Sequence, residues 1–170
     1  MNIIPHTGEM IKKSFERASE LGSIKNSILK GTGNAAGFMG EEAVASYIGA
    51  DIVSDSQYNY DIVKDGKKIE IKTKRRTVPP LKRYEVSVAA TSRHQSPDLY
   101  IFVSLQFNRS VRVNRSMAYR GLESVWMLGN KSPEEFYYES KLWKPGDVDP
   151  DNNFITSVEM FNLPIYMLED

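Results

Sequence analysis

Two carboxylates and a lysine fall within one short stretch, residues 60–72, whose pattern predicts a β-hairpin. Asp65 and Gly66 separate two alternating runs, and this dipeptide suits a two-residue type I′ turn, which needs positive φ at both central residues. Counting outward from the turn gives four predicted pairs: Lys64 with Lys67, Val63 with Lys68, Ile62 with Ile69, and Asp61 with Glu70. Opposite residues share a face of the sheet, and every second residue returns to it. Asp61, Glu70 and Lys72 are therefore predicted to lie side by side.

The predicted pairing of Asp61 with Glu70 has two interpretations. Like charges placed opposite each other destabilise a sheet, and a hard divalent cation such as Mg²⁺, which binds carboxylate oxygens, would remove the conflict. Alternatively, the hairpin is exposed and its outer face is simply charged, with Lys68 and Lys72 offsetting the acids. The hairpin alone leaves both interpretations open.

A third carboxylate stands inside an apolar helical pattern. Residues from about 35 to 49 predict a helix, and at about 100° per residue Glu41 falls in the middle of its apolar arc, whereas Glu42 falls on the flank. A carboxylate in a core-facing stripe is unfavourable unless something compensates it, so a helix packed on the sheet could direct Glu41 at Asp61 and Glu70. The alternative is that Glu41 lies partly exposed in the first helical turn, where it favours the helix dipole.

The elements that must position these side chains can be outlined from periodicity. Apolar residues spaced by three and four predict helix over residues 8–30, ending at Gly31-Thr-Gly33. Short β-type runs follow at 51–54, 58–64, 67–74, 84–89, 99–107, 111–113 and 124–128. Residues 131–153 predict a loop, and residues 154–168 predict a returning strand. We expect one α/β domain: a helical segment over 1–34, a core over 35–128, and an acidic loop with a C-terminal strand over 129–170.

Composition excludes several classes of site. The chain has no cysteine and two histidines, which argues against a disulfide scaffold, a thiolate metal site and thiol catalysis. No apolar run of about 18 residues is present and the N-terminus has no secretory pattern, so we expect a cytoplasmic protein without a membrane span. Basic and acidic residues balance at 22 each, yet residues 67–83 hold eight bases against one acid. Such a concentration suits a polyanion-binding face, or else a solvated charged surface.

The order of these features resembles the PD-(D/E)XK nuclease superfamily. The matching residues are Gly37-Phe-Met-Gly40-Glu41 on a helix, then Asp61, then Glu70-Ile71-Lys72 across a hairpin, within residues 37–76. The Gly-x-x-x-Glu start is similar to that of small Holliday-junction resolvases and phage-type nucleases. Tyr60 stands where the superfamily has its name-giving proline.

The resemblance implies a fold and a metal site. The implied fold is a mixed β-sheet flanked by helices, with a restriction-endonuclease-like α-β-β-β-α-β core and, in this chain, an N-terminal helical extension. Asp61 and Glu70 would ligate Mg²⁺, for which Mn²⁺ can substitute, with the carbonyl of Ile71 and with Glu41 directly or through water. Lys72 would position or help deprotonate the attacking water.

The resemblance also implies a partner and an activity. Flanking phosphates of DNA would be held by the basic residues after the hairpin: Lys74, Arg75, Arg76, Lys82 and Arg83. The expected activity is that of a metal-dependent deoxyribonuclease, an endonuclease of a bacterial or phage-infected cytoplasm that by analogy forms a homodimer. Two alternatives stay open: a catalytically inactive nucleic-acid-binding or scaffold module of the same fold, and an unrelated α/β domain with an incidental hairpin.

Overall fold

The computed structural model describes residues 1–21, 34–54, 59–109, 121–149 and 153–170. These ranges contain three α-helices: α1 (Gly8–Leu21), α2 (Asn34–Ile48) and α3 (Pro133–Glu139). They also contain nine strands: β1 (Asn2–Ile4), β2 (Asp51–Ile52), β3 (Ile62–Lys64), β4 (Lys67–Arg76), β5 (Glu85–Ala89), β6 (Leu99–Phe107), β7 (Leu122–Lys131), β8 (Lys141–Trp143) and β9 (Met160–Pro164). Short 3-10 helices follow β5 and β9 at Ala90–His94 and Ile165–Met167. The expected α/β class is confirmed.

The strands form two sheets. Six of them make a mixed sheet in the order β1-β7-β6-β4-β3-β2, in which β4 and β6 are parallel and the other neighbours are antiparallel. The other three make a small antiparallel sheet in the order β5-β9-β8. Parallel neighbours need a crossover connection, and residues 77–98 provide it between β4 and β6.

This crossover differs from the α-helix that the expected α-β-β-β-α-β order would place there. It forms β5 and a 3-10 helix instead, because Val86 and Val88 are both buried, at the two-residue spacing of a strand, and β5 pairs with β9. On either side of the crossover the chain runs α2-β2-β3-β4 and then β6, which is parallel to β4.

Each face of the six-stranded sheet is covered by its own core. Helix α2, with α1 beside it, packs on the face that carries Ile69, Ile71, Ile101 and Val103. The opposite face carries Tyr100 and Phe102, which pack with β5, β9 and α3. Glu70 stands opposite Tyr100 in the β4–β6 register and therefore belongs to this second face.

Several elements depart from their predicted bounds. Helix α2 and strand β6 agree with the prediction, and α1 confirms the first part of the predicted 8–30 helix. The rest of that helix beyond residue 21 and the predicted strand at 111–113 lie outside the described residues. The prediction of a loop over 131–153 is wrong at both α3 and β8. The Ser132-Pro133 start signalled α3, because Ser132 Oγ accepts from the Glu135 N–H and Pro133 opens the first turn. Strand β1 was not predicted, and the C-terminal strand is shorter than expected. None of the helices that the structure describes is long and apolar enough to cross a membrane.

Gly40 sets how closely α2 approaches β4. A Cβ atom added there would overlap Thr73 Oγ1 on β4 and stand 3.2 Å from Thr73 Cβ. At Gly37, one turn earlier, an added Cβ would meet only Glu41 Oε1 at 3.9 Å, an ordinary contact. The helix therefore lies against the strand at Gly40, the residue before Glu41.

Gly40→Ala is expected to lower the free energy of unfolding by about 2 kcal/mol, because the new methyl forces α2 away from β4. Gly37→Ala on the same helix is the matched control and should be neutral or slightly stabilising. Thr73→Ala should recover part of the loss in the Gly40→Ala background, since it removes the overlapping hydroxyl. Urea unfolding of the wild type and these three variants measures the effects, and equal effects of the two glycine substitutions would contradict the close approach.

Candidate functional site

The hairpin adopts the predicted turn. Asp65 and Gly66 have φ of 49° and 78°, the positive values that a type I′ turn requires. Three predicted pairs are present: Lys64 with Lys67, Val63 with Lys68, and Ile62 with Ile69. The register of the hairpin is therefore confirmed as far as the start of β3.

The fourth predicted pair, Asp61 with Glu70, is not part of the ladder. The Asp61 N–H donates to the carbonyl of Ile69 at 2.9 Å, the same residue that pairs with Ile62. The Ile71 N–H donates to Asp61 Oδ2 at 2.7 Å. In a continued ladder the Ile71 N–H would donate to a backbone carbonyl. Here it donates to the Asp61 carboxylate, and strand pairing therefore stops at Ile62, the first residue of β3.

Glu70 lies buried in a small polar cluster with Lys72 and Gln95. It is 6% exposed, and its Oε1 accepts from Lys72 Nζ at 2.6 Å and from Gln95 Nε2 at 3.1 Å. Gln95 Oε1 also accepts from Lys72 Nζ at 2.9 Å. Glu70 Oε2 has no hydrogen-bond partner among the described residues. One oxygen of this carboxylate is thus fully engaged while the other is buried and unsatisfied.

Gln95 was not anticipated from the sequence. It directly follows the 3-10 helix of the β4–β6 crossover, and its position beside Glu70 depends on that crossover lying over the second face of the sheet. A single glutamine in a polar stretch carries no periodic or spacing signal, so the contact becomes visible only in three dimensions.

Glu41 and Glu42 are both held by α1. Arg17 donates through Nη2 to Glu41 Oε2 at 3.0 Å and through Nη1 to Glu42 Oε1 at 3.2 Å, while Lys13 Nζ reaches Glu42 Oε2 at 3.1 Å. The arginine also stands over the Phe38 ring at 4.2 Å. Periodicity places Glu42 on the flank of the apolar arc, yet it is as buried as Glu41: the two side chains are 7% and 8% exposed. Helix α1 covers this flank of α2 through Arg17 and Lys13.

Electrostatics links the three predicted carboxylates at Asp61. Burial raises the pKa of Asp61 well above its ordinary value of 3.8, and the charges of Glu41 and Glu70 raise it further. The hydrogen bond from Ile71 and the charge of Lys72 act in the opposite direction. The charges of a carboxylate from α2 and of another from β4 therefore both act on Asp61.

The donor set of this site is of the type that hard divalent cations prefer. Carboxylate oxygens suit Mg²⁺, and the unpartnered Glu70 Oε2 and the like-charged surroundings of Asp61 are what a cation would compensate. As the side chains stand, the described residues contain no group of three acidic or histidine side chains placed to hold one ion. Arg17 and Lys72 neutralise Glu41 and Glu70 in this arrangement.

The five predicted phosphate-binding residues do not form one surface. Lys74 is half-buried, and its Nζ donates to the Glu85 carbonyl at 3.3 Å and to Ser87 Oγ at 3.2 Å. Burial, with the nearby charge of Arg76, lowers the pKa of Lys74 to about 8. Arg76 Nη2 donates to the same Glu85 carbonyl at 2.9 Å. Lys74 and Arg76 are therefore engaged in the contact between β4 and β5, and these hydrogen bonds would compete with a ligand for the two cations.

The other three basic residues are exposed. Because side chains alternate along β4, Arg75 projects from the face opposite to that of Lys74 and Arg76. Its Cζ lies 5.5 Å from the Phe107 ring centre. Lys82 and Arg83 lie on the connection that precedes β5. Of the five predicted residues, these three are the ones that can meet a polyanion without rearrangement of the sheets.

Asp61→Asn is expected to raise the melting temperature at neutral pH in buffer free of divalent ions. The folded chain holds the Asp61 proton more tightly than the unfolded chain, so wild-type stability falls as pH rises from 3.8 through the raised pKa. Asparagine has no charge to bury and can still accept from the Ile71 N–H, so it avoids that loss of stability. The difference in melting temperature between the variant and the wild type should therefore disappear on acidification.

The control is Asp98→Asn, because exposed Asp98 also accepts from a β4 N–H, that of Lys68 at 2.8 Å. Thermal unfolding over a pH series compares the two variants. A gain at Asp98 equal to that at Asp61, or a gap that widens toward acid pH, would contradict the electrostatic picture.

Comparison of the chain with models of known protein families and with curated proteins finds no match. Function must therefore be inferred from the side chains of this chain: Asp61, whose pKa the charges of Glu41 and Glu70 raise, Lys72, whose Nζ lies 2.6 Å from Glu70 Oε1, and a set of exposed cations.

Proposed function

We propose that this chain is a metal-dependent deoxyribonuclease with its active site at Glu41, Asp61, Glu70 and Lys72. The observation that carries the proposal is the charge environment of Asp61, where partial burial and two further carboxylates, Glu41 and Glu70, raise the pKa of this acid. Burying like charges destabilises a fold, so their presence calls for a reason such as a ligand or a reaction. Clusters of acids with perturbed pKa values are typical of functional sites.

Asp61 and Glu70 would hold Mg²⁺ or Mn²⁺, and Glu41 would contribute directly or through water. The ion would supply Lewis-acid polarisation of a phosphate and a bound water of lowered pKa. Ile71 supports this set through its N–H, which fixes the Asp61 carboxylate at 2.7 Å.

Lys72 has a separate role in this proposal. Its ammonium lies among the carboxylates and is fixed by two acceptors, Glu70 Oε1 at 2.6 Å and Gln95 Oε1 at 2.9 Å. A positive charge held in place there can orient a water and stabilise negative charge that develops on a phosphate. Gln95 acts as a positioning residue, because it holds Lys72 and Glu70 in one geometry.

The order of elements supports the resemblance to the PD-(D/E)XK superfamily. The proposed acids come from α2, the start of β3 and β4, and β6 then pairs in parallel with β4. The crossover without an α-helix is the departure from the restriction-endonuclease-like core. The alternative of an inactive module of the same fold is disfavoured by the buried, unpartnered Glu70 Oε2, since loss of function would relax selection for such an unfavourable group.

Cleavage of linear, circular, single-stranded and four-way-junction DNA in Mg²⁺ tests the activity. Asp61→Asn and Glu70→Gln should each lower turnover by about a hundredfold or more, because each removes an oxygen charge on which the site depends. Calorimetry should show divalent-ion binding to the wild type that both substitutions weaken.

Glu42→Gln is the matched control for Glu41→Gln. Both glutamates are equally buried and both contact Arg17, but Glu41 and not Glu42 is among the charges that act on Asp61. Glu41→Gln should therefore lose far more activity. Equal losses, or divalent-ion binding independent of Asp61 and Glu70, would contradict the assignment.

DNA affinity should depend on the exposed cations. Arg75→Gln and Arg83→Gln are each expected to reduce the slope of log affinity against log salt by about one, since each lost phosphate contact releases one counterion fewer. Lys12→Gln removes the same charge from exposed α1 and should leave the slope unchanged. Filter binding over a salt series measures the slopes, and equal slopes in all three variants would refute this interface.

A further inference from the structure

A pocket of about 150 Å³ lies between the two sheets, beside the proposed active site. Its walls are mostly apolar and aromatic, with Phe102 and Val103 from β6, Val86 from β5 and Met160 from β9. Lys72 also lines it, so the pocket and the carboxylate site share one side chain. The two spaces are therefore neighbours on the same face of β4.

Four buried polar atoms of pocket-lining residues lack a hydrogen-bond partner among the described residues: Thr73 Oγ1, Trp143 Nε1, Thr156 Oγ1 and Asn162 Oδ1. Thr73 Oγ1 faces Gly40 of α2 on the other side of β4. The remaining three residues are 6%, 1% and 5% exposed. A buried polar atom without a partner loses its hydration and gains no hydrogen bond in return, which is unfavourable. Three such atoms on residues that line one pocket point to a ligand that would satisfy them.

The hydrogen-bonding character of these atoms is defined. Trp143 Nε1 can only donate. Asn162 Nδ2 donates to Glu85 Oε2 at 2.9 Å, which fixes the amide so that Oδ1 remains as an acceptor. Thr156 can act either way. Lys74, whose Nζ contacts Ser87 Oγ at 3.2 Å, adds a cation to the lining. Asp149 also lines the pocket and adds a carboxylate, so the pocket offers both donors and acceptors around an apolar centre.

The size of the pocket selects the kind of ligand. A cavity of 150 Å³ accommodates a single six-membered ring, as an engineered apolar cavity of about that volume takes up benzene. The polar lining calls for a ring whose edge carries both carbonyl acceptors and an N–H donor. A pyrimidine base has this edge, with carbonyl oxygens for Trp143 and Lys74 and an N–H for Asn162, whereas a purine has a second fused ring.

We propose that this pocket binds one pyrimidine base, turned out of the stack of the strand whose phosphate lies at the carboxylate site. The choice of a nucleic-acid base over other polar rings of this size rests on the proposed function. Enzymes that extrude a base offset the lost stacking by hydrogen bonds to its edge and by contacts with its faces, and this pocket provides both.

Thymidine 5′-monophosphate is the probe, with 2-deoxyribose 5-phosphate as the matched ligand that lacks the base. Both are titrated into the full chain without divalent ions, so that the result does not depend on cleavage. The chain has two tryptophans, and Trp126 Nε1 donates to Gln106 Oε1 at 3.1 Å, which provides an internal reference. The indole N–H resonance of Trp143 should shift on adding the nucleotide, while that of Trp126 should not.

Variants tie the binding to the pocket. Thr156→Val and Trp143→Phe should each weaken nucleotide binding by about fivefold to tenfold, the usual effect of one hydrogen bond. Leu142→Ala, next to Trp143 but outside the pocket lining, should bind as the wild type does. Thermal unfolding checks each variant, and Thr156→Val keeps the assay decisive if Trp143→Phe does not fold.

The pocket and the proposed activity can fail separately. Nucleotide binding in a chain that never cleaves DNA supports the pocket and overturns the nuclease proposal. Cleavage without nucleotide binding, or equal binding of the sugar phosphate, overturns the base pocket and leaves the nuclease proposal standing. A pocket that holds water alone gives no indole shift at nucleotide concentrations well above about 1 mM, and it also overturns the assignment.

Discussion

Burial of like charges at the end of the β3–β4 hairpin is the constraint on which the arrangement around it depends. Glu41 and Glu70 both act on Asp61, and no cation forms an ion pair with Asp61 among the described contacts. Each neighbouring element supplies a compensating group: Arg17 comes from α1, Lys72 from β4 and Gln95 from the crossover. Elements that are distant in sequence are thus brought to one place by the need to satisfy three carboxylates.

Close approach between α2 and β4 is what makes this coupling possible. Glu41 is on a helix that covers one face of the sheet, while Glu70 projects toward the other face. Asp61 lies where the ladder stops, so its carboxylate is reached from both sides. Gly40 lets the helix approach Thr73, and a larger residue would move Glu41 away from the end of β3. The glycine before the glutamate therefore has a steric role that is independent of any catalytic chemistry.

Local signals in the sequence were sufficient for the parts of the site that depend on local geometry. Asp65-Gly66 determined the turn and three strand pairs, and helical periodicity predicted that Glu41 is buried. The fourth pair could not be predicted, because a side-chain carboxylate competes with the backbone for the Ile71 N–H. The burial of Glu42 depends on α1, and the contact of Gln95 depends on the path of the crossover. Both are tertiary effects that periodicity does not encode.

The basic stretch after the hairpin illustrates the same limit and has a functional consequence. Charge counting treated Lys74, Arg75 and Arg76 as one patch, but the alternation of β4 sends Arg75 to one face and the other two to the other face. There Lys74 and Arg76 both donate to the carbonyl of Glu85, so they join the two sheets. Lys74 also lines the pocket, which lies beside the carboxylates because Lys72 precedes Lys74 on the same face of β4. One strand therefore carries, in alternate positions, an acid of the proposed metal site, the lysine shared by both spaces, and the cation of the pocket.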